Sequence, residues 1–165
     1  MAERRVGLIP RVTMIDGSPR VVLVTDRRLV IVPETGSVTS FKDWWHLMFS
    51  DEGAPAAGES VDFRTADIDA LACRKNVVSI SLLSVTEFKI ARFVGGYQAT
   101  IEMRSDDGKK SCEVFGISSP GALVKANKAT GVSPRETQRQ YALKCQELFK
   151  RVLPPMVSSQ ARWLS

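Results

Sequence analysis

The chain predicts a mainly β fold with added helices, closed at its C-terminal side by one amphipathic helix. Three observations carry this. Short apolar, β-branched runs bounded by turn residues recur on both sides of residues 34–76. A helix-start signature at Ser133-Pro134-Arg135-Glu136 opens a stretch whose apolar residues recur at helical spacing. Finally, 165 residues with 44% hydrophobic and 25% charged content suit one folded domain with its own core.

The early strands read as a meander. Val6 to Ile15 is the first run, and Pro10 inside it predicts an edge position or a bulge, because proline cannot donate to a ladder. Asp16-Gly17-Ser18-Pro19 is a turn, and Arg20 to Thr25 is the second run. Asp26-Arg27 makes a tight reversal into Leu29 to Val32, which Pro33 ends. Strands resume after Asn76, with Val77 to Ser81 and Val85 to Phe93. Gly95-Gly96 turns the chain into Tyr97 to Arg104, where Tyr97, Ala99, Ile101 and Met103 share one face. Asp106-Asp107-Gly108-Lys109 is a hairpin turn leading to Lys110 to Ile117, with Cys112, Val114 and Gly116 assigned to one face.

Between the two groups of strands lies an insertion over about 37–76. Ser40 caps one expected helix, along which Phe41, Trp44, Trp45, Met48 and Phe49 recur. A second short helix runs from Thr65 to about Arg74. After the last strand, Ser119 to Ala129 reads as a helical piece linked through Gly131. In the closing helix, about 133–153, Tyr141, Cys145, Leu148, Phe149 and Val152 form one apolar stripe, and Pro154-Pro155 ends it. Such a helix is not stable alone, so its stripe must pack on the strands. Residues 1–153 form one domain in this reading, and 154–165 a loose tail.

Net charge is +5 but unevenly spread. Residues 37–69 hold two cations against seven carboxylates, a net of −5, so the rest of the chain carries +10. That basic body attracts phosphates on lipid or nucleic acid, unless the acidic insertion folds against it and cancels the field. No apolar stretch approaches the roughly 20 residues that span a bilayer, and Met1-Ala2-Glu3-Arg4-Arg5 has no signal-peptide core, which predicts a cytoplasmic location. Cys73, Cys112 and Cys145 are far apart and form no metal-binding spacing with the single His46. Nucleophile-elbow, phosphate-loop and zinc-protease motifs are all lacking, so the expectation is a binding protein with no cofactor, no metal and no small-molecule substrate.

The order of these elements, and three local motifs, resemble the prokaryotic pleckstrin-homology-like (PH/GRAM-type) domains. Val24-Thr25-Asp26-Arg27-Arg28-Leu29 is similar to their strand-turn-strand motif, Ile80 to Phe88 to their next strand pair, and Asp106-Asp107-Gly108-Lys109-Lys110 to their late hairpin. The resemblance spans about 6–153. It implies a seven-stranded, partly open antiparallel barrel capped by the C-terminal helix, and a module that binds phosphoinositides, proteins or copies of itself. Closure also removes exposed sheet edges. The chain departs from the family in its long aromatic insertion. It also lacks the basic motif after the first strand, where Arg20 is the only cation. That loop argues against specific inositol-phosphate recognition.

Two groups of candidate residues follow. Phe41, Trp44, Trp45, Met48 and Phe49 are a candidate interface, either docking on a protein partner, a second copy included, or pinning the insertion to the strands. Lys42 faces Asp43, Asp51 and Glu52 there, which argues against an anionic membrane. Arg27, Arg28, Lys89, Arg92, Arg104, Lys109 and Lys110 are candidate anion or lipid-headgroup contacts, and the last five form one basic patch if the late strands bring them together. Arg27 and Arg28 read first as a structural turn, in which Asp26 bonds locally and an arginine pairs nearby. The leading expectation is a protein-binding adaptor that includes self-association; a peripheral membrane module comes second and a nucleic-acid binder last.

Overall fold

In the computed structural model of the chain, which describes residues 2–33, 67–119 and 121–165, the strands join into one antiparallel sheet. They are β1 (Arg5–Met14), β2 (Pro19–Thr25), β3 (Arg28–Pro33), β4 (Val78–Ser81), β5 (Val85–Phe93), β6 (Gly96–Arg104) and β7 (Lys110–Ile117). Their spatial order is β4-β3-β2-β1-β7-β6-β5, so the last strand returns to pair with the first. The helices are α1 (Ile68–Ala72), α2 (Gly121–Ala129), α3 (Pro134–Val152) and α4 (Pro155–Gln160). A 3-10 turn at Leu82–Ser84 joins β4 to β5. The fold is thus mainly antiparallel β with a few helices. Residues 40–49, including the expected helix, lie outside the described residues.

β1 is not an edge strand; it lies between β2 and β7. Of the two outcomes that Pro10 allowed, the bulge is the one taken. The β1–β2 register shifts between Ile9 and Val12. The slip withdraws the backbone of Arg11 from the ladder, and α3 supplies the replacement. The buried Tyr141 hydroxyl donates to the Arg11 carbonyl at 3.0 Å and accepts from the Arg11 N–H at 3.3 Å. A broken ladder and a buried phenol therefore satisfy each other.

In β2 every residue from Val21 to Thr25 is buried, which an ordinary half-exposed strand would not allow. Val22 and Val24 point into the main core with Ile9, Leu29, Ile31 and the α3 stripe. Val21 and Leu23 point the other way, into a second cluster with Leu8, Val30 and Val32, which Ile68 and Leu71 of α1 cover. Asp67 caps α1 by accepting from the N–H groups of Asp69 and Ala70. This end of the insertion therefore lies on the sheet rather than projecting from it.

β5 holds Val85, Phe88 and Ile90 on one buried face despite the three-residue step from Val85 to Phe88. A register shift between Val85 and Glu87 absorbs the extra residue. β7 corrects the assigned face: Phe115 and Ile117 are buried, whereas Cys112 is exposed. The alternation was legible but its phase was not, because both faces of β7 carry apolar residues.

Along α3, Tyr141, Ala142, Cys145, Leu148 and Phe149 are fully buried. Ser133 caps the helix by accepting from the Glu136 N–H. Only half of the reciprocal cap forms, because the Glu136 carboxylate turns to Arg139 and Gln140 instead. The expected loose tail is also corrected. Pro154-Pro155 ends α3 and at once opens α4, whose Val157 is buried. Trp163 then stacks on Phe88 with ring centroids 5.1 Å apart, and Phe88 in turn lies 4.7 Å from Phe149.

The cysteines give a direct check on this packing. Cys145 is fully buried and burial pushes its thiol far up, while Cys73 and Cys112 are exposed. Thiolate is the reactive form. In a titration with a thiol-reactive chromophore, two groups are expected to react in the native protein. Cys145 is expected to react on the order of 10³-fold more slowly, limited by opening of the core. Three fast thiols would mean that α3 is not seated as described.

Candidate interaction surfaces

Arg28 follows the Asp26-Arg27 reversal and is only 20% exposed along its side chain. Its guanidinium grips Glu3 through Nε at 3.0 Å and Nη2 at 2.9 Å, and it also pairs with Asp69 at α1. Thr25, fully buried, accepts from the N–H groups of Arg27 and Arg28 at 3.1 and 2.9 Å and shares the Glu3 carboxylate. Asp26 does not bond within its own turn. It accepts from the Arg4 N–H at 2.9 Å instead, tying down the N-terminal residues. Arg28 is therefore a clamp joining the chain start, the β2–β3 turn and α1, and it is not a free anion contact. Arg27 is exposed beside it and has interactions of its own.

The five late cations do not form one patch. Arg92 faces Tyr97 at one end of the β5–β6 pair, while Arg104 faces Lys110 across β6–β7 at the other. Tyr97 to Arg104 is seven residues, or roughly 23 Å of strand. Lys89 sits between them, in a hollow shared with Glu87, Glu102 and Arg162, where carboxylates offset it. Arg104, Lys109 and Lys110 are exposed around the β6–β7 hairpin. There Asp107 accepts from the Ser105 hydroxyl and the Lys109 N–H, and the Ser105 bond holds its carboxyl below the usual carboxylate range. The hairpin is thus of mixed charge.

Arg92 lines a different concave surface. A groove of about 540 Å³ runs between the β5–β6 hairpin and the start of α3, lined by Arg92, Phe93, Val94, Tyr97, Arg135 and Gln138. A neighbouring hollow of about 330 Å³ shares Arg92, Tyr97 and Arg135 and adds Arg139, Leu143 and Leu164. Arg92 and Arg135 form no ion pair with a described residue, whereas Arg139 pairs with Glu136 at 3.4 Å. The hairpin tip is apolar: Phe93 is 57% exposed and Val94 94%. Turn tips are ordinarily polar, so two bared apolar side chains above a groove need a reason.

No family model matches this chain, and neither a curated protein nor a solved structure matches it. The surfaces must therefore be read from their chemistry. Phe41, Trp44, Trp45, Met48 and Phe49 lie outside the described residues. Sequence reasoning chose Arg92 but missed Arg139, and missed Arg135, which enters there only as part of the helix-start signature. The available signal was Phe93-Val94 directly before Gly95-Gly96, an apolar pair at a turn. Among the described residues no group of three or more His, Cys, Asp or Glu side chains is arranged to hold a metal ion. No described helix is long and apolar enough to cross a membrane.

Proposed function

We propose that this chain is a PH-like, non-catalytic binding module that makes protein–protein contacts, self-association among them, through the groove beside the β5–β6 hairpin. The observation that carries this is the exposed Phe93–Val94 tip standing over two guanidiniums, Arg92 and Arg135, that form no ion pair among the described residues. Aromatic and arginine side chains are the ones enriched where proteins bind proteins. An apolar tip gains by dehydration, and arginine forks orient a carboxylate from the partner. The concave shape fits side chains of a partner better than a flat bilayer. The net +2 from three arginines and Glu136 is below the clusters of four to eight cations that hold a protein on anionic lipid. The strand order, with β7 returning to β1 and α3 packed on the core, supports the partly open barrel expected of this family.

The test is solution mass by light scattering over a range of concentrations. The wild type is expected to exceed the 18.2 kDa monomer as concentration rises. Phe93→Ser/Val94→Ser and Arg92→Ala/Arg135→Ala are each expected to weaken association about tenfold or more while leaving the fold intact. An oligomer unchanged in both variants would move the interface off this groove. A wild type that stays monomeric, yet binds anionic vesicles through the same residues, would give the surface to a membrane instead.

A further inference from the structure

The last residues of the chain lie against the sheet as a peptide ligand would. Arg162 forms a parallel bridge with Lys89 at the outer edge of β5. Its carbonyl accepts from the Ile90 N–H at 2.9 Å, and its N–H donates to the Phe88 carbonyl at 3.2 Å. The opposite wall is α3. There Gln146, only 4% exposed, spends both ends of its amide on the backbone of one residue. Its Oε1 accepts from the Leu164 N–H at 2.6 Å and its Nε2 donates to the Leu164 carbonyl at 3.4 Å. Trp163 fills the floor between them, over Phe88, with the Lys150 ammonium 5.2 Å from its ring.

A strand edge on one side, a buried amide reading backbone on the other and an aromatic seat between them are the parts of a site for an extended chain. Main-chain bonds hold any such segment, and the seat selects an aromatic residue. We propose that residues 161–165 are a displaceable ligand carried in cis, and that the slot between β5 and α3 accepts the same segment from a second copy of this chain. The segment hangs from α4, which is joined to α3 only through Leu153 and Pro154. A proline-bounded joint between two helices suits an exchanged element. The inference goes beyond the groove proposed above; the two share Leu164, but the variants that test the groove leave residues 161–165 unchanged, so either can fail without the other.

Held in cis, the segment has an effective concentration of order mM, so a free peptide with the same contacts competes poorly in the wild type. The probe is a labelled synthetic peptide of residues 154–165, titrated by fluorescence anisotropy against the full chain. Trp163→Ala empties the aromatic seat while keeping the rest of the chain. It is expected to bind the peptide about tenfold or more tighter than the wild type does. Hydrogen exchange at the Ile90 amide should slow when peptide is added. Arg162→Pro, which deletes the N–H given to Phe88 but keeps Trp163, is the second variant and should show a smaller gain. A folded Trp163→Ala variant that takes up no peptide at mM concentration would overturn the proposal. Unfolding of both variants would also overturn it, because a segment the chain cannot fold without is core and not ligand.

Discussion

Phe149→Ala is expected to lower the unfolding free energy by about 3–5 kcal/mol, a large part of the 5–15 kcal/mol that holds a typical domain. Phe149 is fully buried on α3, 4.7 Å from the ring of Phe88 and 6.2 Å from that of Phe115. Those two rings belong to β5 and β7, so this one side chain joins the closing helix to two strands that are not adjacent. Its removal costs the transfer of an aromatic ring and leaves a cavity that two strands and a helix cannot easily collapse into. Trp163 stacks on the same Phe88, so the loss spreads to the C-terminal segment. Urea unfolding followed by far-UV circular dichroism measures it, with Val94→Ala as a control, since Val94 is 94% exposed. The control is expected to change stability by about 0.5 kcal/mol or less. A loss below about 1 kcal/mol for Phe149→Ala would mean that α3 is not the plug of the core.

Arg28→Ala is expected to cost about 2–4 kcal/mol, near the lower part of the range for breaking a buried pair, because a fifth of its side chain meets solvent. What makes the loss large is the group left behind. The Glu3 carboxylate is only 12% exposed, and without Arg28 it keeps just the Thr25 hydroxyl among its described partners. Arg28→Lys retains the charge but not the fork that meets both Glu3 oxygens, so it should recover only part of the loss. Adding Glu3→Gln to Arg28→Ala removes the stranded charge and should regain stability, giving a double-mutant cycle with a clear coupling. Equal losses for the alanine and lysine variants, with no rescue by Glu3→Gln, would remove the clamp. If Arg28 were instead a ligand contact, its loss would leave unfolding unchanged.

Much of this arrangement was legible from local chemistry. The strand runs, the turn at Asp16-Gly17 with Gly17 at φ +85°, and the α3 stripe each follow from residues within a few positions of one another. Backbone propensity and hydrophobic period act over that range. The bulge at Pro10 was one of two outcomes its missing N–H allows, and only the neighbours of β1 chose between them. The basic patch illustrates the opposite case. Arg92 and Arg104 are 12 residues apart in the chain, but the antiparallel hairpin sends them to opposite ends of β6.

Side-chain period, proline and glycine were enough to place the strand runs, their turns and the apolar face of α3, but not α4, which was expected as loose tail. Tertiary structure decided everything that needs two distant segments at once. It chose the structural role for Arg28 over an anion contact, by bringing Glu3 and Asp69 to it. It gathered Arg92 and Arg135, from a strand end and a helix start, into one groove. It also seated Trp163, an isolated aromatic with no periodic neighbour, on Phe88. A lone side chain carries no signal of its partner in the sequence, and only the closure of the sheet and helix around a shared core supplies that partner.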